Sequence, residues 1–228
     1  MIGLIGGMSW ESSAEYYRLL NQGVRDRCGP TASARCLLWS FDFSAIERLQ
    51  HAGDWPALAV LLADAARRLE AGGAEALLLC TNTMHLLADA VQRAVAVPLL
   101  HIADPTADRI AAAGLRRVGL LGTAFTMERD FYRARLRDRH GLDVIVPDAA
   151  GRATVHRIIY DELVAGRARA ESRAAFRAVI ARLVADGAEA VILGCTEIML
   201  LVRPEDSAVP LFDTTTLHAG AAVDFALS

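Results

Sequence analysis

The chain has 228 residues, 54% of them apolar and 22% charged, which is ample for a packed core in one large domain or two small ones. A formal net charge of -3 leaves no basic footprint for nucleic acid, and no uninterrupted apolar stretch has the length that spans a bilayer. All 24 basic residues are arginine and none is lysine, which excludes both the lysine Schiff base of a pyridoxal-phosphate enzyme and the lysine of a P-loop.

In chain order, the opening MIGLIGG has no positively charged leader and reads as a strand and turn rather than a signal peptide. A helical segment, SAEYYRLL, follows, with ERDFYRARL as its helical counterpart in the second half of the chain, and then a strand, CLLWSF (36–41). Residues 54–70 read as an amphipathic helix: Asp54 caps it, Pro56 sits in its first turn, and Leu58, Leu61, Leu62, Ala65 and Leu69 form one stripe. Further strands are ALLLC (76–80), VGLLG (118–122) and AVILG (190–194). These runs are short and apolar on every side, as strands buried on both faces of a parallel sheet are. Cys28, Cys36, Cys80 and Cys195 are spaced by 8, 44 and 115 residues, which fits neither a zinc site nor a CxxC redox motif. A cytoplasmic protein with reduced thiols and no metal is expected.

The sequence is written twice. IGLIGG (2–7) matches VGLLGT (118–123), GGAEALLLCTNTM (72–84) matches DGAEAVILGCTEI (186–198), and Val97-Pro98-Leu99 matches Val209-Pro210-Leu211. Three matches in one order at offsets of 116, 114 and 112 residues mark two homologous halves. Alternating strands and helices predict an α/β protein of two doubly wound parallel-sheet domains related by a pseudo-twofold. The first domain is expected at 1–100 plus 213–228 and the second at 101–212, with the active site in the cleft between them. Open α/β sheets take ligands beyond the carboxyl ends of their strands.

Superposing the third strands sets Thr81 against Cys195, with Cys80 falling opposite Gly194. Under a pseudo-twofold, Thr81-Asn82-Thr83 and Cys195-Thr196-Glu197 approach a ligand from opposite faces. Proton-handling groups on opposite faces of one carbon are what inversion of a stereocentre requires. Backbone N–H groups at helix N-termini after these turns are expected to face a carboxylate.

GGMSWES, CTNTMH and GCTE, set in the duplicated α/β layout, closely resemble the cofactor-independent aspartate/glutamate racemase family over essentially the whole chain. The resemblance is closest to the branch of broad-acting or L-aspartate/glutamate-directed amino-acid racemases. It implies no cofactor, an amino-acid substrate and a homodimer. The family carries a cysteine in each turn. Here the second stands as Gly194-Cys195-Thr196, while Thr81 occupies the place of the first. A helix N-terminus can bring a thiol to the thiolate, whereas a threonine hydroxyl is a far weaker acid. Cys195 is therefore expected to be the base and Thr81 a donor or relay, both catalytic, with L to D kinetically favoured because the family's second cysteine faces the α-proton of the L enantiomer.

The resemblance also places Met8, Gln50, Thr81, Asn82, Thr83, Thr196 and Glu197 around the substrate, with Arg48 in a loop as a candidate carboxylate partner. Val164 stands where aspartate-specific relatives often carry lysine, which argues against strict aspartate specificity. Cys28, Cys36 and Cys80 read as inert. His101 and His218 read as structural, and His85 either orients a ligand or is structural. Glu75 and Glu189 read as a shared turn or cap, and the arginines of 133–139 as a solvated helix face. Two alternatives stay open. One is a same-fold maleate isomerase, hydantoin racemase or arylmalonate decarboxylase; the other is a non-catalytic amino-acid-binding protein.

Overall fold

The computed structural model describes residues 1–228 and divides into two compact units, Met1–Ile102 with His218–Ser228, and Ala103–Leu217. The first contains β1 (Ile2–Gly6), α1 (Trp10–Cys28), β2 (Cys36–Ser40), α2 (Phe43–Ala52), α3 (Trp55–Ala71), β3 (Ala76–Leu79), a 3₁₀ turn (Thr83–Leu87), α4 (Ala88–Arg93) and β4 (Leu99–Leu100). The second contains α5 (Ala103–Ala112), β5 (Arg117–Gly122), α6 (Ala124–Glu128), α7 (Asp130–His140), β6 (Asp143–Ile145), α8 (Ala149–Asp161), a 3₁₀ turn (Leu163–Ala165), α9 (Ala170–Ala185), β7 (Ala190–Gly194), α10 (Ile198–Leu201) and β8 (Leu211–Asp213). The terminal helix α11 (Thr214–Leu227) returns the chain to the first unit.

Each unit has one four-stranded parallel sheet, ordered β2-β1-β3-β4 in the first and β6-β5-β7-β8 in the second. The order is the same with four added to each strand number, so the sequence repeat is a repeat of topology. Strand alternation sends the first sheet's side chains to two cores. Ile5, Leu77 and Leu79 pack with Ile46 of α2 and Leu58, Leu62, Ala65 and Leu69 of α3. Leu4, Ala76, Leu78 and Cys80 pack on the other face with Tyr16 and Leu20 of α1 and Ala222 and Val223 of α11. Cys80 thus points into the core, away from the turn that follows it, and burial pushes its thiol up.

Local rules account for much of this. Asp54 caps α3 by accepting from the Ala57 N–H at 3.0 Å, and Pro56 needs no donor in the first turn. Leu61 lies on the flank of the stripe and is exposed. Gly73 and Gly187 both adopt φ +94°, which an L side chain rarely takes, at the equivalent turn before β3 and β7. Glu75 pairs with the amino terminus, and Glu189 accepts the Arg116 and Arg117 N–H groups at 2.8 Å each. Both glutamates therefore hold the start of the neighbouring strand.

Three local expectations are revised. The segment around Arg48 and Gln50 is helix α2, not a loop, and Arg48 is exposed on it. The second copy of the first helix is split, because Arg129 takes an extended conformation (φ -80°, ψ 144°) between α6 and α7. The arginine face of α7 is not all solvated: Arg135 forks onto Asp104 of α5 at 2.6 and 2.5 Å, and holds that carboxyl below its usual range despite burial.

Gly194 ends β7 opposite Gly122 of β5. A Cβ there would lie 2.7 Å from the Leu121 carbonyl oxygen, a contact only backbone movement relieves. We expect Gly194→Ala to cost about 1–3 kcal/mol in urea unfolding; an unchanged midpoint would contradict the close approach of these strands.

Candidate active site

In the first unit the strand ends feed tight, hydroxyl-lined turns. Gly7 takes φ +80° and its N–H donates to Ser13 Oγ at 2.8 Å, while Ser13 Oγ donates to the Ser9 carbonyl at 3.1 Å. The Met8–Ser9 peptide is cis, and Ser9 caps α1. Met8 is buried in the same apolar cluster as Met84, whose sulphur accepts from Gln50 Nε2 at 3.1 Å. The structure therefore brings Met8 and Gln50 to the turn that starts at Thr81.

That turn is clamped on both sides of Thr81. Ser12 Oγ donates to the Cys80 carbonyl at 3.1 Å, and His85 Nδ1 lies 2.8 Å from the Thr81 carbonyl. Thr81, Asn82 and Thr83 are all buried, Thr81 with 9% of its surface exposed. Neither Ser12 nor the bond made by His85 was legible beforehand, since each links residues with no shared pattern.

In the second unit, β7 delivers Cys195-Thr196-Glu197. Cys195 is 7% exposed, and its thiol donates to Glu197 Oε2 at 3.0 Å. Thr196 Oγ1 donates to the same oxygen at 2.9 Å. The main-chain N–H groups of Thr196 and Glu197 act on the thiol in the opposite sense to burial, favouring the thiolate. Burial pushes the thiol well above its ordinary range. The Glu197 charge and its hydrogen bond push it further, and the two N–H groups only partly offset them.

The sequence-based expectation of a thiolate prepared by a helix N-terminus is thus corrected. The elements after the two turns are a 3₁₀ turn (Thr83–Leu87) and a four-residue helix, too short to sum an appreciable dipole. Cys195 is a protonated thiol whose proton points at a carboxylate. Glu197, expected as a substrate contact, spends one oxygen on Cys195 and Thr196.

The supporting parts of the second unit follow the same logic. Thr214 Oγ1, at the start of α11, donates to the Leu193 carbonyl at 2.9 Å and holds the end of β7. Val164 packs against the apolar cluster that contains Cys195, Leu163 and Ile198. The described side chains form no group of three or more His, Cys, Asp or Glu arranged to hold a metal ion, and no helix is long and apolar enough to cross a membrane.

Comparison with known proteins decides the family. A model of the Asp/Glu/hydantoin racemase family matches residues 5–222. The chain belongs to that family. It is therefore a racemase-type isomerase by descent. A crystal structure of a Yersinia pestis protein, described as a candidate Asp/Glu racemase, is 52% identical over 100% of this chain and 99% of its own, with a TM-score of 0.92. A Pyrococcus horikoshii aspartate racemase homologue is 35% identical over 100% and 99% of the two chains, with a TM-score of 0.85. The broad-specificity amino-acid racemase RacX of Bacillus subtilis is 26% identical over 70% of this chain and 68% of its own length.

The thiol assignment is testable without substrate. Peptide-resolved iodoacetamide labelling of Cys195 should rise only at pH above the range of an ordinary thiol, about 8.5. Glu197→Gln removes a negative neighbour and must shift that profile to lower pH. A profile that stays put or moves higher would contradict the pairing.

Proposed function

We propose that this chain is a pyridoxal-phosphate-independent racemase that interconverts the L and D forms of aspartate, glutamate or a broader set of α-amino acids. The observation that carries the reading is the buried Cys195 thiol donating to Glu197 Oε2 at 3.0 Å. Glu197 takes the thiol proton, and the main-chain N–H groups of Thr196 and Glu197 favour the resulting thiolate. The sulphur then removes the α-proton of the L substrate, and the Thr81 turn supplies a proton to the other face of the carbanion. Thr81 acts as donor or relay: its hydroxyl passes a proton to the carbanion while taking one from solvent, so no alkoxide is left. Glu197 returns to solvent the proton it took. A general base of this kind contributes about 10²–10⁴-fold.

The remaining assignments follow the resemblance. Asn82, Thr83 and Thr196 bind the substrate's polar groups, and Met8 and Gln50 border it. The acidic or broader substrate class is supported by the names of the Pyrococcus and Bacillus relatives and by apolar Val164 in the second unit. The enzyme is read as a cytoplasmic homodimer, on its cysteine usage and the family resemblance.

Enantiomers have equal free energy in water, so kcat/KM must be the same in both directions. The preference for L to D therefore lies in kcat at saturating substrate, matched by a difference in KM.

Purified protein free of pyridoxal phosphate, given L- or D-glutamate or aspartate in D₂O, is expected to form α-deuterated product of the opposite hand, followed by NMR and chiral chromatography. Cys195→Ser should slow this by about 10³-fold or more, within the range one proton-transfer group contributes. Equal turnover by Cys195→Ser would remove the mechanism.

A second reading draws on the same thiol. A decarboxylase of this fold needs one proton donor for the carbanion left by carbon dioxide, and a protonated Cys195 fits that need. Carbon dioxide release from an arylmalonate, with no α-deuteration of amino acids, would decide for it.

A further inference from the structure

His85 is held by two bonds of opposite sense. The Ile102 N–H donates to His85 Nε2 at 3.2 Å, so Nε2 carries a lone pair. The partner of Nδ1 at 2.8 Å is the Thr81 carbonyl, an acceptor only, so Nδ1 carries the hydrogen. The ring is neutral and fixed in the Nδ1–H tautomer, and its bonds join the turn after β3 to the chain just past β4. His85 is buried, and it meets His101 edge-on at 4.4 Å between ring centroids and His218 at 6.0 Å. His218 braces the same stretch. Its Nε2 donates to the Leu100 carbonyl at 2.8 Å, which leaves Nδ1 to accept from the Tyr16 hydroxyl at 2.8 Å.

We infer that His85 is a positioning residue for Thr81. The inference rests on the reading of Thr81 as the proton donor or relay given above. Ser12 fixes the peptide plane before Thr81 through the Cys80 carbonyl, and His85 fixes the plane after it through the Thr81 carbonyl. With both planes held, the direction of the Cα–Cβ bond is set. Only χ1 remains, and β-branching restricts that too. The hydroxyl is thereby aimed by a histidine that lies four residues beyond it and does not itself touch the substrate. Misplacing a reacting group by about 1 Å costs on the order of 10²-fold.

The two bonds of the ring can be separated by substitution. In His85→Asn the amide nitrogen takes the place of Nδ1 and keeps a donor for the Thr81 carbonyl, while the acceptor for Ile102 is lost. In His85→Gln the longer side chain reaches the place of Nε2 and offers Ile102 an acceptor, while the donor to Thr81 is lost. Each variant forfeits one buried hydrogen bond, so a purely structural histidine predicts equal effects on activity.

The readout is L-glutamate in D₂O: formation of inverted D-product, compared with α-deuterium incorporated into recovered L-substrate. Loss of aim at Thr81 lowers inversion relative to exchange, because exchange on the L side needs Cys195 and Glu197 but not Thr81. We expect His85→Asn to keep the wild-type ratio and His85→Gln to lower it about tenfold to a hundredfold. Histidine ¹⁵N spectra of the wild type should show one ring in the Nδ1–H form that is lost in both variants. Equal ratios in the two variants, or a ratio that falls in His85→Asn instead, would overturn the assignment. If the wild-type chain inverts nothing, the reading of the reaction falls and this assignment falls with it. If it inverts and only the ratios fail, the reaction stands and the positioning role does not.

Discussion

A buried thiol donating its hydrogen bond to a carboxylate two residues on is the interaction on which the candidate chemistry depends. Two negative charges about 3 Å apart, out of water, would repel strongly, so Cys195 keeps its proton and donates it to Glu197. In the proposed reaction this pair holds the base in protonated form, with the main-chain N–H groups of Thr196 and Glu197 favouring the thiolate once the proton has moved. The second unit is arranged around this point. Gly122 and Gly194 let two strands close up directly before Cys195, and Thr214 satisfies the carbonyl of Leu193 beside it. A larger residue at position 194 would run into the Leu121 carbonyl of the neighbouring strand.

Duplication explains how one turn became two different devices. The parts that build the fold stayed alike: Gly73 and Gly187 share one backbone conformation, and Glu75 and Glu189 hold the start of the neighbouring strand. The parts that touch chemistry diverged. Thr81 faces Cys195 in the alignment of the repeat, and Thr83 faces Glu197. The first turn therefore carries hydroxyls clamped through the backbone by Ser12 and His85, and the second a thiol clamped through its own side-chain proton. In the proposed reaction these two unlike turns supply the two proton-handling groups.

The sequence made the architecture legible because its signals are periodic or repeated. Apolar runs bounded by turns marked the strands, the repeat marked the two equal sheets, and alternation correctly sent Cys80 into the core. What stayed hidden was contact between residues with no common pattern. Nothing in the sequence says that Ser12 reaches the carbonyl of Cys80, or that Ile102 fixes the tautomer of His85. Arg48 reads as loop because α2 is short and half exposed. The split at Arg129 leaves no mark in the sequence because apolar spacing continues across it. The state of Cys195 differs from the expectation for an electrostatic reason. A thiol before a long helix and a thiol before a four-residue helix beside a carboxylate read the same as text, and their proton affinities move in opposite directions.

The central claim is that the two turns do unlike work at one carbon, with Thr81 the weaker partner of Cys195. Replacing Thr81 by cysteine tests it most directly, with kcat measured from L-glutamate and from D-glutamate at saturation. The account predicts that Thr81→Cys brings the ratio of the two kcat values toward unity, with the D side gaining about tenfold or more, as expected when a group able to ionise near neutral pH replaces one that is not. A folded Thr81→Cys protein with the wild-type ratio would contradict it.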